Sequence, residues 1–493
     1  MITWGISALH HDAAITVTRD NEILFAGHAE RYSKIKNDPF LNTEIVNEAL
    51  YYGKPDCIVW YESPFKKKLR YIYSGQYNRL LENPYKYVKG FLGKTDMYTV
   101  DHHTSHAHAG YSTSKFEDAA IVVVDAIGEW TTVSVWEAKG KTLKCIYKQG
   151  YPHSLGLLYS AFTELCGLKP NEEEYILMGM AAYGESDMSE FIHNDLIETF
   201  EPPLLILSQN VHKGLPKHYQ NFVHDDESKF MIASSVQEIA EAYMVHLIKW
   251  TKEKINSDNL ILMGGVTLNC VANTKVAEKN YFKNIWIMPN PGDAGSSLGA
   301  IAAHHNIKLN WTNPYLGTNI NRELNIDRAC ELLMNINTDG IVGIANGRAE
   351  FGPRALGNRS LLANPTGSKI KDRVNHIKKR QKFRPFAPAI LAEHVGYYFK
   401  LPMSIKSSPY MQFAVECKYP KDFPAICHVD NTSRIQTVSK EDNPVFHELL
   451  TEFYRRTGCP MLLNTSLNIK GMPLVNTWTD ASEFSRRYNV SVL

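Results

Sequence analysis

Residues 2–27 read ITWGISALHHDAAITVTRDNEILFAG. Ile2–Ser7 has the composition of a buried strand, Ala13–Thr18 of a second and Ile23–Gly27 of a third. Arg19-Asp-Asn-Glu22 is the turn joining the last two. The pattern returns at 119–148, AAIVVVDAIGEWTTVSVWEAKGKTLKCIYK. There Ala119–Asp125, Thr131–Trp136 and Leu143–Lys148 read as strands, with a turn near Lys139-Gly-Lys141. Each copy is a three-strand meander, and each carries an aspartate at its first turn, Asp12 in one and Asp125 in the other. Two unrelated meanders are the alternative to a duplication.

If the meanders are duplicated and face each other, each offers a turn to a shared cleft. That is the actin, sugar-kinase and Hsp70 ATPase architecture, an α/β fold. The rest of the chain is organised around it. Ser235-Val-Gln-Glu238 reads as a capping box. Behind it Val236, Ile239, Ala240, Tyr243, Met244 and Leu247 keep helical spacing, so this helix is structural. Leu260–Met263 and Ile285–Met288 are short buried strands. Trp311–Asn319 has turn residues and no periodicity, which places a boundary there. Ile341–Ala345 then opens a second domain. The expected domains are 1–318 and 319–493.

The length, 493 residues, suits two to four domains at roughly 150 residues each. Hydrophobic residues are 44% and charged residues 21%, which excludes a disordered chain. With 53 basic and 52 acidic residues the net charge is +1, so the protein is no general coat for nucleic acid. No apolar run reaches the roughly 18 residues of a membrane span. The start lacks a signal peptide's basic and apolar regions, which predicts a cytoplasmic protein. The eight cysteines are scattered singly, without a CxxC pair. They predict buried free thiols rather than structural zinc.

The densest chemistry is Asp101-His-His-Thr-Ser-His-Ala-His-Ala109. His102 and His106 are four apart, so a helix puts both on one face. Such a pair can hold a divalent metal, but alone it is often a satisfied polar helix start. Asp125 and Asp293 each follow a buried strand, where the loops of an α/β fold meet its cleft. Two histidines and two carboxylates suit iron, manganese or zinc. Gly264-Gly-Val-Thr-Leu-Asn269 and Asp293-Ala-Gly-Ser-Ser-Leu-Gly299 each follow a strand and start a helix, as a nucleotide cleft requires. The second domain is basic from Arg348 to Arg384. Phe351-Gly-Pro-Arg354-Ala-Leu-Gly357-Asn-Arg359 sets arginines in a Gly/Pro loop suited to phosphate. Lys378, Lys379 and Lys382 read as a solvated helix face.

These motifs, in order, make the chain resemble the carbamoyltransferases of the NodU/CmcH family. The matching stretches include Gly5-Ile-Ser-Ala-Leu-His-His11-Asp12, Glu30-Arg-Tyr-Ser-Lys-Ile-Lys36, Asp101-His102-His103-x-x-His106 and Val124-Asp125-x-x-Gly128-Glu129-Trp130. They continue with Met178-Gly-Met-Ala-Ala-Tyr-Gly184, Gly264-Gly265-Val-x-Leu-Asn269 and Pro289-x-Pro-Gly-Asp293. The last are Phe383-Arg384-Pro-Phe-Ala-Pro388, His428-Val-Asp-x-Thr-x-Arg434 and Leu463-Asn464-Thr-Ser466-Leu-Asn468. The resemblance implies an actin-like N-terminal domain of the threonylcarbamoyl-transferase type and a YrdC-like C-terminal domain. It implies that carbamoyl phosphate and ATP give carbamoyl-adenylate in the C-terminal domain. A small hydroxyl compound then takes the carbamoyl group at an iron site in the N-terminal domain. Carried over by motif, His102, His106, Asp125 and Asp293 ligate the metal. His11 handles the acceptor hydroxyl, and Lys36 binds carbamoyl-adenylate. Gly128, Gly265 and Asn269 hold the nucleotide, and Arg354, Arg384, Arg434 and Asn464 bind carbamoyl phosphate. A homodimer is compatible; a membrane or polymeric nucleic acid is not an expected partner.

Three departures bear on the acceptor. The family's Asp-Gly is Asp125-Ala126 here, which would strain Ala126 if the position needs a positive φ. Glu-Gly-Lys is Glu174-Tyr-Ile176, and Arg-Glu is Arg380-Gln381. Three rival readings are a tRNA threonylcarbamoyl transferase-like enzyme, an actin-like sugar kinase and a nucleotide-binding module. The first has no use for the arginine-rich domain, and the second has none for the His102/His106 pair.

Overall fold

The first meander forms β1 (Ile2–Ser7), β2 (Ala14–Arg19) and β3 (Glu22–His28), paired antiparallel in sequence. β4 (Cys57–Trp60) adds parallel to β1, and β5 (Asp96–Thr99) parallel to β4. The second meander forms β6 (Asp118–Gly128), β7 (Thr131–Lys139) and β8 (Thr142–Gly150). After a small hairpin of β9 (Ile197–Glu201) and β10 (Leu204–Leu207), β11 (Asn259–Met263) adds parallel to β6. β12 (Asn284–Trp286) then adds parallel to β11. The sheet orders are β3-β2-β1-β4-β5 and β8-β7-β6-β11-β12, so the meander and its two parallel additions are repeated strand for strand.

This computed structural model describes residues 1–335, 340–367 and 369–493. The chain divides into two compact units. One holds Met1–Ala29 and Asn37–Trp311, with both sheets above; the other holds Glu30–Lys36 and Thr312–Leu493.

Within the first unit, the helix His102–Thr113 packs Ala107, Ala109 and Tyr111 against Ile121, Val123, Trp136, Ile261 and Met263. These side chains lie almost wholly out of water, and apolar burial of this kind fixes where the helix sits. The helix Ser296–His305 packs against it. Where the two meet, a Cβ on Gly299 would lie 1.8 Å from Ser105 O and 2.7 Å from Ala109 N. Gly299 therefore serves close helix packing as well as the loop it follows.

Two local readings are corrected. Ser235–Glu238 does not cap a helix. That helix runs Asp226–Lys254 and its capping box is Asp225 with Ser228. Ser235 lies a further two turns along, buried, and its hydroxyl bonds back to Met231 O at 2.8 Å. A hydroxyl bonding the preceding turn mimics a cap in sequence. Trp311–Asn319 is also not all turn, since Tyr315–Ile320 is a strand, β13. Asp125 lies inside β6, where the ladder to β7 shifts register between Val124 and Gly128. Ala126 has no positive φ, so it carries no such strain; the left-handed residue of this turn is Glu129, at φ 55°.

In the second unit β14 (Ile341–Ala345) opens the main sheet, and β15 (Gly347–Glu350) pairs with β13. The main sheet also contains β16 (Arg359–Ala363), β17 (Ala387–Leu391), β20 (Gln436–Val438) and β21 (Met461–Ser466). Its order is β14-β16-β21-β17-β20, with only β17 and β20 parallel. β18 (Ala414–Glu416) and β19 (Thr432–Arg434) form a short ribbon. Glu30–Lys36 joins this unit through Arg31 to Gly352 O at 2.8 Å, Tyr32 to Thr318 at 2.9 Å and Lys34 to Asp480 at 2.6 Å.

All eight cysteines are free, and all but Cys145 are buried. Among the described residues no helix is long and apolar enough to cross a membrane.

Candidate metal and catalytic site

His102 opens the helix His102–Thr113, so His106 follows one turn later on the same face. Both rings are buried. Asp125 reaches them from the bulged part of β6, and Asp293 from the turn Asp293–Gly295 that leads into the helix Ser296–His305. The His102 Nε2 atom stands 3.1 Å from His106 Nε2, 3.3 Å from Asp125 Oδ2 and 3.3 Å from Asp293 Oδ1. His106 Nε2 is also 3.3 Å from Asp293 Oδ1. One ligand atom from each residue lies within 4.8 Å of the others.

The charges favour a cation. Burial pulls the His102 imidazole down, but Asp293 and Asp125 outweigh it and hold it well above an ordinary histidine. Burial raises both carboxylates and Asp293 further raises Asp125, but His102 and His106 bring Asp125, and His102, His11 and His106 bring Asp293, below the ordinary aspartate range. Two carboxylates kept ionised out of water, facing two ring nitrogens, fit a divalent ion. Asp125 is oriented by the Gly265 amide, which donates to its Oδ1 at 3.1 Å.

His11 lies beside this cluster. Its Nε2 is 3.5 Å from Asp293 Oδ2 and its Nδ1 is 3.2 Å from Asp12 Oδ2. About a third of the His11 and Asp12 side chains is exposed, so the cluster opens to solvent here. Burial lowers His11, but Asp293 and Asp12 push it up to about 9. The loop bearing it is tight, with Leu9 at φ 71° and Asp12 at φ 52°.

The other motif residues fall as follows. Gly128 is needed sterically, since a Cβ there would lie 2.2 Å from His102 Cδ2. Asn269 caps the helix Cys270–Glu278 through Ala272 N and exchanges two hydrogen bonds with Gln237. His103 is a core residue, bonded to Ser134 at 2.8 Å and held neutral by burial. Lys36 lies in the segment that joins the second unit, whereas Gly128, Gly265 and Asn269 lie in the first.

In the second unit Asn464, on β21, donates to Ala355 O at 3.1 Å and Gln436 Oε1 at 2.7 Å. It thereby ties the Arg354 loop to the strand that follows Arg434. Glu350 organises the same loop, accepting the amides of Leu356, Asn358 and Arg359. Arg354, Arg384 and Arg434 are all half-buried. Arg359 is fully buried and donates to the carbonyls of Thr318, Asn346, Gly347 and Asn476, a structural use.

Lys378 is not part of a solvated face. It is 4% exposed, and its ammonium donates to Ser466 O, Ser466 Oγ, Asn468 O and Asn468 Oδ1. Burial and the nearby Arg380 and Arg384 hold it well below an ordinary lysine. The neighbouring Lys379 and Lys382 give it a surface-like sequence context. Glu129 is a further site residue, one that its motif does not single out. It accepts the amides of Ser63 and His102, and burial pushes it up to about 7. No sequence signal marks the buried Lys67–Glu62 ion pair, whose Glu62 lies 4.0 Å from His102 Nδ1.

A repeated five-stranded sheet with four ligand-type side chains converging beside a histidine defines an α/β enzyme with a candidate metal centre. Comparison with known proteins makes the class specific. The profile described as carbamoyltransferase N-terminus matches residues 62–302 and that described as carbamoyltransferase C-terminus matches 334–493. An uncharacterized protein of Synechocystis sp. is 34% identical, over 97% of this chain and 93% of its own length. Nodulation protein NolNO of Sinorhizobium fredii is 32% identical over 97% of this chain and 79% of its own. A 3'-hydroxymethylcephem-O-carbamoyltransferase of Amycolatopsis lactamdurans is 27% identical over 95% and 94%. The chain belongs to the carbamoyltransferase family that includes the nodulation and cephem proteins.

Proposed function

We propose that the protein is an ATP-dependent O-carbamoyltransferase whose acceptor is a hydroxyl of a small molecule: a sugar, a natural product or a nucleotide. In this reading the second unit, taken as YrdC-like, forms carbamoyl-adenylate. Carbamoyl phosphate, ATP and one water give carbamoyl-adenylate, phosphate and pyrophosphate. Arg354, Arg384 and Arg434 bind carbamoyl phosphate with Asn464. Guanidinium forks suit a phosphate better than ammonium groups do.

The first unit, actin-like and of the threonylcarbamoyl-transferase type, consumes the intermediate. Gly128, Gly265 and Asn269 hold the nucleotide, and Lys36 binds the carbamoyl-adenylate. His102, His106, Asp125 and Asp293 would hold a divalent cation, Fe²⁺ with Mn²⁺ or Zn²⁺ as alternatives. Such an ion supplies positive charge to the phosphate oxygens of the leaving AMP. The acceptor oxygen bonds to the carbamoyl carbon, and the bond from that carbon to the AMP oxygen breaks. His11 orients the hydroxyl and, once its imidazole has given up its own proton, takes the hydroxyl's. Asp12 fixes the His11 ring from its Nδ1 edge.

The observation that carries this reading is the convergence of His102, His106, Asp125 and Asp293 beside His11 in a chain of this family. The test measures pyrophosphate and carbamoyl-adenylate from ATP and carbamoyl phosphate, in wild type, Arg354→Ala and His106→Ala. Wild type should form the adenylate, Arg354→Ala should lose it, and His106→Ala should retain it. If carbamoyl phosphate never stimulates pyrophosphate release, the reading fails.

A further inference from the structure

His102 turns only one of its ring nitrogens to the cluster. Nε2 faces His106, Asp125 and Asp293, while Nδ1, on the other edge of the ring, is buried without a hydrogen-bond partner. Glu62 stands on that edge, with its Oε2 4.0 Å from Nδ1. Glu62 is 3% exposed and His102 1%. The second carboxylate oxygen, Oε1, pairs with the ammonium of Lys67, which is buried as well.

The chain around Glu62 is fastened to the start of the helix His102–Thr113. Tyr61 O accepts the Ser105 hydroxyl at 2.8 Å, and the Tyr61 ring packs obliquely on the His102 ring at 5.2 Å. On the other side, the amides of Ser63 and His102 both donate to Glu129 Oε1. The residues before and after Glu62 are therefore both tied to the turn that carries His102.

An imidazole that offers Nε2 to a cation is neutral and carries its proton on Nδ1. Out of water, that N–H costs free energy when it has no acceptor. A carboxylate acceptor removes the cost, fixes the tautomer and the ring orientation, and makes the ligating nitrogen more basic. At 4.0 Å the pair is longer than a hydrogen bond, and a movement of about 1 Å by either side chain closes it. Lys67 supplies the countercharge that a buried carboxylate requires.

We propose that Glu62 is a positioning residue of the metal centre. Its carboxylate, with Lys67 as counter-ion, accepts the His102 Nδ1 proton and so holds Nε2 toward a divalent cation. This rests on the reading of His102, His106, Asp125 and Asp293 as the ligands of that cation.

Anaerobic calorimetric titration of the full chain with Fe²⁺ compares wild type, Glu62→Gln, the double variant Glu62→Met/Lys67→Met, and His102→Ala. Glu62→Gln should bind Fe²⁺ about 10–100-fold more weakly, the usual effect of losing a partner behind a ligand. It also strands Lys67, which lowers stability by itself. The double variant removes both charges and keeps the volume. It should unfold near the wild-type temperature without metal and still bind Fe²⁺ at least about tenfold more weakly. In the Zn²⁺-loaded protein, proton NMR should show an exchangeable imidazole resonance that both Glu62 variants lose. A double variant that does not fold, or that binds Fe²⁺ and keeps this resonance as wild type does, makes the ion pair structural and overturns the proposal. Fe²⁺ binding lost in His102→Ala but unchanged in the double variant removes the proposal alone. Wild-type binding that is absent, or unchanged by His102→Ala, removes the reading of the four residues as ligands, and the proposal with it.

Discussion

His11 Nε2 stands 3.5 Å from Asp293 Oδ2, so the residue proposed to take the acceptor's proton shares a carboxylate with the candidate metal cluster. Replacing it tests whether the two roles are separable. His11→Gln should keep the metal content of wild type and lower carbamoyl transfer by about 10²–10⁴-fold, the usual worth of a positioned acid–base group. Elemental analysis beside a transfer assay reads both. Loss of metal in this variant would make His11 a ligand instead.

His106→Ala should empty the cluster. Wild type loaded with Fe²⁺ should unfold at a higher temperature than after chelation, because an ion that binds only the folded state stabilises it. His106→Ala should show no such difference. An equal shift in wild type and variant would place the ion elsewhere.

Gly128 and Ala126 make a contrasting pair two residues apart. Gly128→Ala drives a methyl into the His102 ring and should destabilise by about 1–3 kcal/mol while distorting the cluster. Ala126→Gly, in a strand without positive φ, should bring no gain and cost roughly 0.5–1 kcal/mol. Denaturant unfolding of both variants measures this. Stabilisation by Ala126→Gly would contradict the backbone of β6.

Lys378 and Lys382 look alike in sequence and should behave differently. Lys378→Met leaves the carbonyls of Ser466 and Asn468 buried without their donor, a loss of about 1–3 kcal/mol. Lys382→Ala, outside the core, should change stability by less than about 0.5 kcal/mol. Equal effects would return Lys378 to a solvated face.

Asp480 sets a pH dependence in the second unit. Burial raises its carboxyl, but Lys34 and the amides of Thr477 and Asn476 outweigh this and hold it below the usual 3.8. A depressed carboxylate adds stability that is present above 3.8 and lost as pH falls through the lower folded value. Asp480 is also half of a capping box, so Asp480→Asn should cost about 1 kcal/mol at pH 7. The gap from wild type should close as the pH drops below 3.8. A gap independent of pH would detach it from this carboxyl.

Much of the fold was legible because the meanders alternate over buried strands with polar turns between them. β1 has the bounds read from Ile2–Ser7, and β14 those read from Ile341–Ala345. The helix placing His102 and His106 on one face was legible for the same reason of spacing. What escaped depends on contacts distant in sequence. Nothing local distinguishes Lys378, whose acceptors are about 90 residues away. Nor does the pattern around Ser235 show that its hydroxyl bonds backward within a longer helix.

Residues 30–36 have a consequence for dissecting the molecule. The second unit is built from two pieces of chain separated by the whole of the first unit's main segment. A fragment beginning at Thr312 leaves Gly352 O, Thr318 and Asp480 without the partners that Arg31, Tyr32 and Lys34 provide. Such a fragment would need the peptide 30–36 supplied in trans or spliced on by circular permutation. The two halves of this enzyme are interlaced modules rather than beads on a string, and no single cut releases either one whole.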